Sequence, residues 1–176
     1  MEDIRLVPAF LKVAYEPSSL ENTSFIQEYY ALMQLNDDPL GLWLKSSKIR
    51  KESEQSDQVL LTLMIELHRK IDKLTHLVTS DKPLYLPLSL QGNIKAIGHG
   101  YLEFDTAILT PKESYYARID MPTFPKRQLP LFFEAISENL GKIVMMHEDD
   151  EQDWSAYMVA CERVMIRQMK GNQSEY

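Results

Sequence analysis

Cysteine is nearly missing from this chain: Cys161 is the only one in 176 residues. An internal disulfide is therefore excluded, which fits a reducing compartment. No apolar run approaches the ~20 residues that a membrane-spanning helix needs. The start, MEDIRLVPAFLKVAYEP, does not read as a signal peptide. It opens acidic, and Pro8 and Lys12 interrupt its apolar part. Basic charge is also short. The net charge is -7, against the large basic surface that nonspecific nucleic-acid binding requires. There is no Cys-x-x-Cys or His-x-x-x-His spacing for a metal, and no phosphate-loop Lys-Ser/Thr. No repeat and no low-complexity segment stands out. These absences leave a soluble cytoplasmic protein of one domain, or one domain with a helical appendage, as the expectation.

What the chain does hold is a long amphipathic stretch from Asp57 to Val78, without Gly or Pro. Leu60, Met64, Leu67, Ile71, Leu74 and Val78 alternate at spacings of four and three. That is the a/d pattern of a helix that packs on other helices. Leu61, Leu63, Ile65 and Leu77 widen the stripe. The spacing predicts a helix over about 56–79, capped by Ser53 or Ser56, whose apolar face joins either the chain's own core or other copies.

Before it, Pro8 and Pro17 break a weakly patterned start in which Phe10, Leu11, Val13 and Tyr15 could form a short helix or an extended arm. Ser24 looks like a helix cap, followed by Phe25, Ile26, Tyr29, Tyr30, Leu32 and Met33 at helical spacing. Asp38-Pro39 reads as a helix restart. Lys45–Lys51 carries four basic residues, either an anion contact or a solvated turn.

Beyond Pro83 the pattern becomes extended. Leu84, Leu86, Leu88 and Leu90 alternate as in a half-buried strand. Gly92-Asn93 and Gly98-His99-Gly100 read as turns. Strands are expected at Tyr101–Phe104, Tyr115–Met121, Leu131–Phe133 and Lys142–Met146. A last helix begins in Asp149–Asp153, shows Trp154, Tyr157, Met158, Cys161, Val164, Met165 and Met169 on one face, and stops at Gly171-Asn172.

Chemistry finds little purchase. His147–Glu151 is rich in metal-type side chains, but adjacent carboxylates cannot all face one ion, and an acidic helix start explains them. Cys161 could pair with His99 or His147 as nucleophile and base, yet it lies on the apolar face of the last helix. His68 and His76 lie outside the a/d seam. No catalytic residue and no metal ligand is assigned, and an enzyme is not expected.

The segment Leu88–Phe104, LSLQGNIKAIGHGYLEF, resembles the PilZ domain, the bacterial cyclic di-GMP receptor module. That family carries Asp/Asn-x-Ser-x-x-Gly between its first two strands. Here the match is Asn93-Ile-Lys95-Ala-Ile-Gly98, with Lys95 at the serine position. The resemblance implies an α+β fold, a six-stranded antiparallel β-barrel closed by a C-terminal helix. It spans about residues 82–171. It also implies an Arg-x-x-x-Arg motif before the first strand, whose guanidinium forks hold phosphate and guanine. Residues 75–87 contain no Arg, only Lys82.

Together these readings predict residues 1–80 as a helical oligomerisation region and 81–176 as a PilZ-like barrel with its helix. The chain is similar to unusual PilZ proteins in which a heptad helix drives tetramerisation. The expected function is non-catalytic bacterial signalling or adaptor work, with a homo-oligomer, a further protein partner, no nucleic acid, no membrane insertion and no cofactor. The alternative is a cyclic di-GMP receptor with a rebuilt phosphate site. Asn93, Lys95, Gly98, Lys82, Lys126 and Arg127 are its candidate ligand residues, with help from Lys45–Lys51.

Overall fold

The computed structural model describes residues 4–36, 58–79, 85–122 and 127–173. Six strands close into an antiparallel barrel in the order β1-β2-β3-β6-β5-β4. They are β1 (Val7–Pro17), β2 (Leu90–Gly98), β3 (Tyr101–Phe104), β4 (Ser114–Met121), β5 (Arg127–Ala135) and β6 (Leu140–Met145). Three helices accompany them among the described residues: α1 (Thr23–Asn36), α2 (Gln58–Thr79) and α3 (Glu148–Gln173). The expected barrel with a C-terminal helix is therefore present.

Its first strand is not where the sequence pattern put it. Val7, Ala9, Leu11, Val13 and Tyr15 are buried and the residues between them are outside, the period of a strand with one face on a core. The prolines that suggested a broken segment sit where a ladder tolerates them. Pro8 adjoins a register shift against β2, and Pro17 is the last residue of the strand. β1 pairs with β2 on one side and β4 on the other, so the helical segment is inserted between the first and second strands. The barrel is thus not contained in 81–176. Two compact units result: Met1–Ile26 with Leu88–Tyr176, and Gln27–Pro87.

Two further expectations change. The alternating leucines do not make a strand of their own: Leu86–Ser89 lie outside the strands and β2 begins at Leu90, while Leu84 falls outside the described residues. Gly92-Asn93 is not a turn but lies within β2. A Cβ at Gly92 would stand 3.0 Å from Ile108 and 3.1 Å from the Phe104 ring, so the glycine leaves room for that ring. The turn falls at His99-Gly100, where Gly100 takes φ 72°.

The barrel interior is apolar and aromatic. Tyr115 stacks on Phe133 at 5.1 Å, and Tyr15 meets Phe104 edge-on at 5.5 Å. Leu102, Ile119, Leu129 and Leu131 are fully buried around them. Trp154 and Met158 of α3 complete this core, and the Trp154 indole donates to the Gly98 carbonyl at 3.0 Å. Outside the barrel, Tyr116 of β4 stacks on Phe25 at 4.9 Å. Pro130 pairs with Arg118 of β4, on a stretch of β5 that β6 does not reach.

Candidate assembly surface and the barrel motif

α2 has 22 residues, which at 1.5 Å per residue span about 33 Å. The six seam residues, Leu60, Met64, Leu67, Ile71, Leu74 and Val78, are each between 53% and 85% exposed. Leu63 and Leu77 beside them are exposed too. Ile65, on the opposite side of the helix, is 8% exposed. The helix therefore uses its other face within the chain and presents the heptad face outward.

That face has relief. Ile71, Leu74, Thr75 and Val78 outline a shallow apolar concavity. Their i, i+3, i+4, i+7 spacing is that of the four-residue hole which receives one knob from a facing helix. The Thr75 hydroxyl donates to the Ile71 carbonyl at 2.9 Å, which turns its polar end into the helix and leaves its methyl for the hole. Polar contacts occur off the seam: His68 Nδ1 lies 2.9 Å from Asp72 Oδ2, one turn along. Lys73 reaches the Tyr85 hydroxyl at 3.2 Å with its ammonium 4.8 Å from the ring centroid.

The motif residues Asn93, Lys95 and Gly98 all lie on β2. Register shifts against β1, between Pro8 and Leu11, and against β3, between Ile94 and Ala96, flank Lys95. Such bulges re-aim side chains. Here the Lys95 ammonium meets Glu103 Oε1 at 2.9 Å, and the same oxygen accepts from the Asn139 amide at 3.2 Å. Asn93 donates to Asp105 Oδ2 at 3.2 Å and accepts the Asp105 backbone N–H at 3.0 Å. Gly98 is crossed by the segment before β1: a Cβ there would lie 2.6 Å from the Arg5 carbonyl oxygen.

Arg5 is what the sequence reading missed. With β1 at Val7–Pro17, the approach to the first strand precedes Val7 and is not residues 75–87. Arg5 lies there, and its guanidinium pairs with Glu162 of α3. The signal was available in the Val7–Tyr15 alternation. Lys82, Lys126 and the Lys45–Lys51 run lie outside the described residues. Arg127 opens β5, so it is not brought to β2 by strand pairing.

The catalytic alternatives are accounted for by local structure. His147 ends the approach to α3: its carbonyl accepts the Glu151 N–H at 2.9 Å and its Nδ1 accepts the Asp149 N–H at 3.3 Å. Cys161 is half-buried against the barrel core. Burial, then a hydrogen bond with Cys161, pushes the Tyr157 phenol up to about 12. Among the described residues no three His, Cys, Asp or Glu side chains gather as a metal site.

These elements define a closed barrel of six antiparallel strands with a C-terminal helix, the architecture that the motif resemblance implied. No family model and no curated protein matches the chain. Among solved structures it is similar to a pathogenic protein from Xanthomonas campestris, described as a new tetrameric PilZ domain self-assembled via an unusual helical bundle. Identity is 12% and the TM-score 0.40, over 95% of this chain and 93% of that one.

Proposed function

We propose that this chain is a non-catalytic signalling adaptor of the PilZ class that assembles with copies of itself through α2. The observation that carries the reading is the outward seam: six heptad residues exposed on one face while Ile65 is buried on the other. Covering six such side chains yields roughly 1.5–3 kcal/mol each before association entropy is subtracted. A second copy fits this face best because the heptad is self-complementary, with both knobs and a formed hole on one helix. Leu63 and Leu77 broaden it beyond a two-stranded seam, which favours a tetramer. The partner that the assembled barrels serve is another protein, in the bacterial cytoplasm.

The same proposal has the chain lacking the family's usual cyclic di-GMP site. Lys95 is spent on Glu103 and Arg5 on Glu162, so neither cation is held ready for a phosphate. Calorimetry with cyclic di-GMP checks this. No heat of binding is expected at micromolar protein. Micromolar or tighter binding that is lost in Lys95→Ala would instead establish a receptor with an unusual phosphate site.

A further inference from the structure

The barrel unit has a cleft of about 260 Å³, lined by the His99-Gly100 turn, the end of β6 and the opening turns of α3. Two hydrogen bonds hold these parts together. The Ile143 N–H donates to the Gly100 carbonyl at 2.8 Å, which ties β6 to the turn. The Trp154 indole donates to the Gly98 carbonyl at 3.0 Å, which ties α3 to the same place. All of it lies in one compact unit, so the cleft is preformed. Its lining has two parts. Ile143, Met146 and Trp154 are apolar and belong to, or pack on, the barrel core. The thioethers of Met145 and Met146 let that part adapt to a guest. His99, Glu151 and Ser155 bring polar side chains. Among the described residues none of these three side chains has a hydrogen bond or ion pair within the protein. No lysine or arginine lines the cleft.

Charge narrows the guest. Glu148, Glu151 and Ser155 stand at i, i+3 and i+7 of α3, so both carboxylates lie on the cleft side of the helix. Neither is ion-paired among the described residues. Two carboxylates outweigh the roughly half positive charge of a helix N-terminus, so a cation is drawn in and an anion repelled. Size narrows it further. Drug-sized ligands fill roughly 300–1,000 Å³, and this cleft is smaller, which suits a single side chain. An apolar stem beside Trp154 and the methionines, ending in a charge at Glu151, is the build of lysine and arginine. We propose that this cleft receives a basic side chain, arginine or lysine, presented by the protein partner that the barrel serves. The existence of a protein partner rests on the adaptor reading above, and the cleft itself is independent of assembly through α2.

The test is fluorine NMR of the full chain carrying fluorotryptophan, which gives two signals, for Trp43 and Trp154. Trp43→Phe assigns them. The probes are capped tripeptides with arginine, lysine, leucine or glutamate between two alanines, titrated at constant ionic strength. The Trp154 signal should shift saturably with the arginine and lysine peptides only. Glu151→Gln should weaken the binding by about three- to fivefold, the upper part of what an exposed ion pair contributes. Glu148→Gln with Glu151→Gln should weaken it by about tenfold, and Ser155→Phe, which fills the cleft, should abolish it. Both glutamates are exposed, and far-ultraviolet circular dichroism verifies that the variants fold. A Trp154 signal that neither basic peptide moves overturns the inference. So does an equal response to the leucine or glutamate peptide, or binding that the double glutamine variant leaves unchanged. A chain that ignores the basic peptides and also ignores cyclic di-GMP loses this inference and keeps the adaptor reading. A chain that binds cyclic di-GMP loses the adaptor reading whichever way the peptides fall.

Discussion

Gly98 sits between two fixed neighbours, the Arg5 backbone on one side and the Trp154 indole at its carbonyl. Gly98→Ala forces the segment before β1 away and should cost about 1–3 kcal/mol, read as a lower denaturation midpoint at unchanged slope. Tyr157 gives a pH signature. Its folded-state phenol titrates near 12 against an ordinary 10.0, so between those values the unfolded chain loses a proton that the folded chain keeps. The stability it contributes is complete below pH 10 and is lost as pH rises toward 12. Tyr157→Phe should therefore lose less stability than wild type across that window, measured by denaturation at stepped pH. At this scale the sequence was only partly informative. Asn93, Lys95 and Gly98 were singled out by the motif resemblance, but the carboxylates that answer Asn93 and Lys95, Asp105 and Glu103, come from β3 and the turn after it. Only the register of β2 against β3 brings them there.

α2 was legible because a helix stripe is a local property, fixed by spacing alone. What spacing could not decide was which side the chain itself covers. Ile65 answers that, and two substitutions separate the faces. Ile65→Ala removes a buried side chain and should destabilise its unit by about 2 kcal/mol or more in thermal or denaturant unfolding. Leu67→Ala, on the exposed seam, should leave the unfolding of an isolated protomer nearly unchanged and act on the assembly instead. β1 teaches the converse. Its alternation from Val7 to Tyr15 was visible, yet two prolines argued against a strand. Both are tolerated, since one adjoins a bulge and the other ends the strand. The leucines at 84–90 alternated as well, but Leu86–Ser89 enter no ladder. There Glu28 receives the Leu86 N–H, and Ser89 is held by Glu16 at 2.8 Å.

For the whole molecule, the last helix could be read from its own stripe and caps, and the small closed barrel was implied by the resemblance of one short motif. The insertion of the helical segment between β1 and β2 could not, because pairing between residues 7–17 and 90–98 is a long-range choice that local pattern does not encode. That insertion carries α2 out of the barrel sequence as a separate unit with its own exposed face. The central claim is that this face is covered by copies of itself. Multi-angle light scattering at micromolar concentration, on wild type and on Leu67→Glu with Ile71→Glu, tests it most directly. The account predicts a wild-type mass of four times the 20.5 kDa protomer, and a double variant at the protomer mass that keeps the circular dichroism of the barrel. A wild-type chain that runs at 20.5 kDa would contradict it.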